Sequence, residues 1–199
     1  MPFSLVPTAI GDWRIDEETG TITALAAPRT DIFIDPARGT TPGAESTLNA
    51  ATLLGAAPDG DYQLSARVSV DFAATYDAGV LLVWVDERRW AKLCFEFSPA
   101  GEPMIVSVVC RGVADDANAC VVAQRWVWLR VSRIDQAYAY HASVDGRTWQ
   151  LIRYFSLDDG AGSARIGFEA QSPTGEGCRV SFDEIRFVST RLAELRNGS

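Results

Sequence analysis

Lysine and histidine are almost missing from this chain. Lys92 is the single lysine and His141 the single histidine, so arginine supplies every other cation. Any Ser/His/Asp or Cys/His nucleophilic system has to use His141. No nucleophile elbow accompanies it, and a lone histidine between Tyr140 and Ala142 reads as structural or simply exposed. Cysteine is sparse too. Cys94, Cys110, Cys120 and Cys178 show neither CxxC nor zinc-ribbon spacing and read as small buried thiols. Cys110 and Cys120 could face each other across a hairpin loop, but a reducing compartment argues against a bridge. No run approaches the roughly 18 apolar residues of a membrane span. The N-terminus MPFSLVPTAIGDW has neither the basic nor the apolar region of a signal peptide. The expectation is a cytoplasmic protein. Basic charge is also in deficit: a net charge of -8 argues against nucleic acid and anionic membrane as partners.

What the chain has is strands. Its strongest stretch is Tyr76–Phe97, in which the apolar runs Val80–Val85 and Ala91–Phe97 flank the polar turn Asp86-Glu87-Arg88-Arg89. That pattern predicts a long, largely buried hairpin. Side chains alternate faces along a strand. The second arm therefore carries Trp90, Lys92, Cys94 and Glu96 on one side, with Ala91, Leu93, Phe95 and Phe97 on the other. A sealed core disfavours Lys92 and Glu96, so their face is expected to line an open groove.

The remaining chain follows the same rhythm. Glu18-Thr19-Gly20 turns between two short alternating runs, and prolines and glycines mark Ala27–Asp31 and Asp35–Gly43 as surface loops. Strands are expected over Asn49–Gly55, Gln63–Phe72, Met104–Arg111, Val121–Arg133, Tyr138–Val144, Trp149–Tyr154, Ala164–Ala170 and Arg179–Val188. Asp145-Gly146 corners a tight hairpin, and Gly112–Ala119 reads as a loop. Thr190–Arg196 alone looks helical. Turns every 8–12 residues, with no repeat and no shift in composition, indicate one all-β sandwich spanning 1–199. Its core runs from about 13 to 188, and 189–199 form a tail.

Several of these segments carry a family likeness. They are Tyr76–Leu81, Trp90-Ala91-Lys92 with Glu96, Val127–Val131, Val144–Trp149, Ser172–Gly177 and Phe182-Asp183-Glu184-Ile185. In this order they resemble the "regulation of enolase" protein family, whose function is unknown, over about Trp13 to Phe187. The resemblance implies a concanavalin A-like jelly roll, two curved antiparallel sheets with a concave face that takes sugars in lectins and glucanases of this fold. Where that family usually shows an arginine this chain has Trp84, and its Val113–Ala119 loop holds no aromatic residue.

Strand parity then suggests a ligand set. Trp126, Trp128 and Arg130 share one side of their strand, as do Glu169 and Gln171 of theirs. If these strands neighbour Lys92 and Glu96, indole plates stand among charged hydrogen-bonders, which suits a sugar or sugar phosphate. Trp84 and Trp128 are then the platforms, Glu96, Glu169 and Gln171 the acceptors, and Lys92, Arg111 and Arg130 the donors. The bland alternative packs Trp126 and Trp128 in the core and leaves Lys92–Glu96 as an ion pair.

Hydrolysis requires two carboxyls about 5–9.5 Å apart. Only Glu96 with Glu169 across strands, or Asp77, offers such a pair, so no catalytic residue is assigned. Calcium could be drawn to Asp115-Asp116-Ala117-Asn118 or Asp158-Asp159-Gly160, but neither has EF-hand spacing. No metal or cofactor is expected. Ser172–Gly177 reads as a structural turn or a loop rimming the groove. The functional expectation is a non-catalytic module binding a small polar ligand. The alternatives are a protein-interaction domain acting on a metabolic enzyme, and a carbohydrate-active enzyme. Pairing of sandwich edges into a homodimer is left open.

Overall fold

The computed structural model describes residues 1–8, 11–40, 42, 44–158 and 164–199. Among them sixteen strands form. In chain order the first eight are β1 (Val6–Pro7), β2 (Asp12–Ile15), β3 (Ile22–Leu25), β4 (Ile32–Phe33), β5 (Thr47–Leu48), β6 (Ala51–Ala56), β7 (Tyr62–Val70) and β8 (Ala78–Asp86). The rest are β9 (Arg89–Phe97), β10 (Pro103–Arg111), β11 (Ala114–Val121), β12 (Trp126–Ile134), β13 (Ala137–Ser143), β14 (Gln150–Ser156), β15 (Arg165–Gln171) and β16 (Arg179–Val188). No helix occurs among the described residues, and Thr190–Arg196, expected to be helical, is a set of turns. There Ala193 and Glu194 donate their backbone N–H groups to the Ser199 carbonyl, so the backbone pairs in turns instead of a helical ladder.

Two seven-stranded antiparallel sheets make the sandwich. The first runs β1-β6-β15-β8-β9-β10-β11 and the second β14-β13-β12-β7-β16-β3-β2. The expected central hairpin is β8–β9, with Leu81 opposite Leu93 and Leu82 opposite Lys92. Alternation fills the space between the sheets. Leu64, Ala66 and Val68 of β7 meet Leu93, Phe95 and Phe168 from the facing sheet, all fully buried. At Gly79 the sheets approach so closely that a Cβ would lie 2.6 Å from Cγ1 of both Val68 and Val180.

A second apolar cluster forms on the far side of the first sheet. Val80, Leu82, Trp90 and Cys94 pack there against Ile32, with Phe33 and Ile34 alongside. The segment holding the short β4–β5 pair lies over the sheet's outer face, tied down by the Thr30–Ser172 bridge and by Ala114 donating to the Ile34 carbonyl. The stretch 30–34, set between and partly within the segments read as surface loops, therefore roofs the face on which an open groove was expected. Gly112–Ala119 also departs from expectation: most of it is edge strand β11, paired with β10 through Val108–Asp116. A strand of small and acidic residues is tolerated there because only one of its edges is paired and most of its side chains are exposed.

Candidate functional site

Register on the first sheet explains which polar side chains share its outer face. Glu96 stands opposite Ala78, Lys92 opposite Leu82, Glu169 opposite Val80 and Gln171 opposite Ala78. Asp116 joins from β11 opposite Val108, itself opposite Lys92. Asp31 comes down from the roof. Lys92 Nζ donates to Asp31 Oδ1 at 2.8 Å and to Gln171 Oε1 at 2.9 Å, and Gln171 Nε2 donates to the Tyr76 carbonyl at 3.2 Å. The ammonium also lies 5.7 Å from the centre of the Trp90 ring.

The cluster is dry. Lys92 is 2% exposed, Glu96 8%, Gln171 2% and Glu169 not at all. An open groove was inferred from the polarity of Lys92 and Glu96, yet both are buried: the roof supplies Asp31 as counter-ion, which makes burial of the ammonium tolerable. Burial disfavours the Lys92 charge, but Asp31, Glu169 and Cys94 outweigh it and hold its pKa above the ordinary value. Burial pushes Glu169 up to about 8 against the pull of Lys92, with Asp31 adding to the rise. Glu96 is raised to about 8 in the same way, with Asp116, Asp31 and Glu169 pushing alongside burial. Asp116, although solvent-exposed at the sheet edge, is raised by the protein packed around it. Both carboxyl oxygens of Glu169 lack a hydrogen-bond partner. An unmet buried carboxyl costs about 1–3 kcal/mol or more, so unused bonding capacity on this face is conspicuous. Gly167, two residues earlier on β15, leaves room for the backbone of the neighbouring strand β6: a Cβ there would sit 2.2 Å from the Leu53 carbonyl oxygen.

Trp84 and Arg111 lie elsewhere on the first sheet, at the end where β8 turns into β9. The half-buried Trp84 pairs across from Trp90, just before a bulge between Trp84 and Asp86. Both residues line an open groove of about 890 Å³ together with Arg88, Arg89, Asp158 and Arg165.

Trp128 and Arg130 belong to neither place. Their strand β12 lies in the second sheet between β13 and β7, and they point away from the inter-sheet core. The expectation that β12 neighbours the Lys92 strand in one sheet is thus corrected: β12 faces β9 across the core instead of pairing with it. Trp128 Nε1 donates to Glu184 Oε2 at 3.2 Å, and Arg67 lies 5.6 Å from its ring centre. The Arg130 guanidinium lies 4.1 Å from the Trp149 ring centre and donates to the Gly198 carbonyl. The bland alternative fares no better, since Trp126 is 43% exposed and not in the core, and Lys92 pairs with Asp31 instead of Glu96.

Other candidates resolve into structure. Asp77 accepts hydrogen bonds from the Ala73 and Ala74 amides and from Ser172 Oγ, the last at 2.6 Å, so it pins the Ser172–Gly177 loop. His141 is buried and its Nε2 lies 2.8 Å from the Leu195 carbonyl oxygen. A carbonyl only accepts, so Nε2 carries the proton. Cys110 pairs opposite Ala114 and Cys120 opposite Ile105, so the two do not face each other, and all four cysteines are free. Among the described residues no group of three or more His, Cys, Asp or Glu side chains is arranged to hold a metal ion. Of the Asp158-Asp159-Gly160 candidate, Asp159 and Gly160 lie outside the described residues. Among the described residues no helix is long and apolar enough to cross a membrane. Asp31 and Arg165 escaped the sequence reading, and Asp116 entered it only within a calcium candidate. Asp31 sits in a loop-like run and Asp116 in an acidic one, and nothing local marks either as facing Lys92.

Comparison with known proteins places this architecture in a family. Residues 11–190 match the family described as "Protein of unknown function (DUF1349)", and the chain belongs to it. A relative in Saccharomyces cerevisiae, "Regulation of enolase protein 1", is 27% identical over 171 residues, covering 84% of this chain and 81% of the relative. The crystal structure of a functionally unknown protein from the same yeast superposes with a TM-score of 0.76 at 24% identity, over 90% of this chain and 96% of that one. A GH43 protein from Bacillus licheniformis superposes with a TM-score of 0.70 at 14% identity, over 90% of this chain but 35% of its own length. A xylan beta-1,4-xylosidase from Bacillus halodurans gives 0.66 at 10% identity, over 88% and 34%. The chain thus spans about a third of these two enzymes, and the likeness to them is one of sandwich fold.

Proposed function

We propose that this member of the DUF1349 family is a non-catalytic binding module, and that a sugar or sugar phosphate is held on the outer face of the first sheet. The observation that carries this reading is Glu169, fully buried, with neither carboxyl oxygen bonded, beside the Lys92–Gln171 pair. A carboxyl held neutral both donates and accepts, which matches a hydroxyl-bearing ligand better than an ion. The adjacent ammonium of Lys92 disfavours a cation at the same place. The roof closes over this cluster, so on this reading a ligand enters by displacing it, with Glu96 at 8% exposed and Asp116 exposed beside it. The same acids argue against hydrolysis. A glycosidase needs one ionised and one protonated carboxyl, whereas Glu96 and Glu169 are both pushed up to about 8.

A thermal-shift screen of sugars, sugar phosphates and glycolytic intermediates tests the reading. A ligand at 100 times its dissociation constant adds about 2.7 kcal/mol, read as a rise of several degrees. The shift is expected to vanish in Glu169→Met, which keeps the length of the side chain but neither donates nor accepts a strong hydrogen bond. Absence of any shift across the panel refutes the reading. The yeast relative's name supports a second one, a regulatory contact with a metabolic enzyme. In that case enolase activity changes on adding the purified protein, while no small molecule shifts its melting.

A further inference from the structure

The outer face of the second sheet buries a cation that no acid answers. Arg130 is 7% exposed and forms no ion pair among the described residues. Facing it are Ser65 and His141 on the flanking strands, with Trp128 and Ser132 on its own, and none of these is acidic. The acids of β16 are already committed. Asp183 accepts from Arg67 Nε at 2.7 Å and Nη2 at 2.9 Å, while Glu184 pairs with Arg67 Nη1 at 3.1 Å and accepts from Trp128. Burial accordingly lowers the Arg130 pKa to about 10, with no carboxylate pulling it back. Arg130 Nη2 donates to the Gly198 carbonyl, but its Nε is buried without a partner, as is Ser132 Oγ on the same side of the strand. Buried polar groups are ordinarily bonded, and a buried charge ordinarily has a counter-charge.

Arg130 lines a pocket of about 210 Å³ together with Trp128, Trp149, Val188 and Arg186. The register puts the two arginines on one face, since both stand opposite Ser65, one from each side. Two strand steps of about 4.8 Å separate their backbones, within the reach of two arginine side chains. Arg186 is exposed and has no ion-pair partner among the described residues. On the same face Arg67 displays what such a fork takes: a carboxylate held side-on, Nε to one oxygen and Nη2 to the other. At Arg130 the equivalent edge is half used, by a carbonyl that brings one oxygen where a carboxylate brings two. Only glycine fits at that carbonyl: Gly198 has φ of +73°, and a Cβ there would lie 2.7 Å from Trp149 Cβ and closer still to Arg130 Nη2.

We infer that this pocket is a binding site for a small aromatic carboxylate. Its two oxygens take the Nε and Nη2 edge of Arg130 in place of the Gly198 carbonyl, Arg186 is the second cation, and the ring lies against Trp128 and Trp149. The C-terminal turns are then a competitor that covers the edge until the ligand displaces them. His141 reports the exchange, because its Nε2 is bonded to the Leu195 carbonyl of the same turns. The inference does not rest on the sugar reading, whose residues lie on the other sheet, so each fails or survives independently.

Benzoate is the probe, titrated into the full chain and followed by tryptophan fluorescence and by the imidazole resonances of His141, the single histidine. Saturable binding that moves those resonances is expected, with benzyl alcohol weaker by about tenfold or more. Arg130→Lys keeps the charge but loses the fork, and should weaken benzoate on the order of tenfold. Arg186→Gln lies at an exposed position, so its melting temperature should stay near that of the parent while benzoate binds more weakly. Gly198→Ala unseats the turns and should tighten binding, and Glu169→Met should leave it unchanged. The inference is overturned if no saturation is seen, if benzyl alcohol binds as tightly as benzoate, or if Arg130→Lys and Arg186→Gln both bind as the parent does. Binding that leaves His141 unmoved, or that weakens in Gly198→Ala, overturns it as well. Phenyl phosphate binding more tightly than benzoate overturns the carboxylate assignment, and loss of binding in Glu169→Met moves the ligand to the first sheet.

Discussion

Lys92 shows how one residue decides whether a polar face can be buried. It enters a buried cluster with four acids nearby, Asp31, Glu96, Glu169 and Asp116, bonds Asp31 and Gln171, and so neutralises the roof that covers it. Replacing it by methionine keeps the volume but strands the carboxylate of Asp31. The expected outcome is a loss of about 3–5 kcal/mol, measurable by urea unfolding. A loss below about 1 kcal/mol, the range of exposed pairs, contradicts the placement of Lys92. Asp31 itself shows why residue-level reading stopped where it did. Parity put Lys92 with Glu96, and Glu169 with Gln171, and each pair does share a face. The counter-ion sits 61 positions before Lys92, and only the folded roof brings it there. Nothing in the run Thr30-Asp31-Ile32-Phe33 distinguishes it from surface loop.

Strands were legible because alternation and turn residues are local signals; their order within sheets was not. The hairpins β8–β9, β2–β3 and β13–β14 fall where turns predicted them. β12 carried the right periodicity but was given the wrong neighbours, because Val127, Leu129 and Val131 look the same whichever sheet they complete. Its outer face is instead closed in part by the C-terminal turns, through the Gly198 carbonyl on Arg130 and the Leu195 carbonyl on His141. That packing has a direct readout, since His141 is the single histidine. Burial lowers its pKa to about 4, against the Leu195 hydrogen bond and with help from Arg130. The imidazole proton resonances should therefore titrate near 4. Titration at the ordinary 6.5 contradicts the packing of the turns on β13.

For the whole molecule the acid cluster sets the pH dependence of stability. Glu96 and Glu169 have folded values of about 8 against an ordinary 4.5, so between these limits the folded state binds more protons than the unfolded chain. Stability consequently falls as pH rises through that window. His141 works in the opposite sense, but only from about 4 up to 6.5, above which it is neutral in both states. Between 6.5 and about 8 the acid contribution is left unopposed, and the melting temperature should decline. Glu169→Gln removes one of the two titrating acids and should flatten the decline. A parent protein whose melting temperature rises over this interval contradicts the burial of the pair.

The most direct test of the proposed ligand face is a thermal-shift screen run in parallel on the parent, Glu169→Met and Trp128→Ala. Trp128 lies on the opposite sheet and serves as the control. The account predicts that a sugar or sugar phosphate raises the melting temperature of the parent and of Trp128→Ala, and leaves Glu169→Met, which has neither donor nor acceptor, unmoved. A shift that survives in Glu169→Met and disappears in Trp128→Ala would place the ligand on the second sheet and contradict the account.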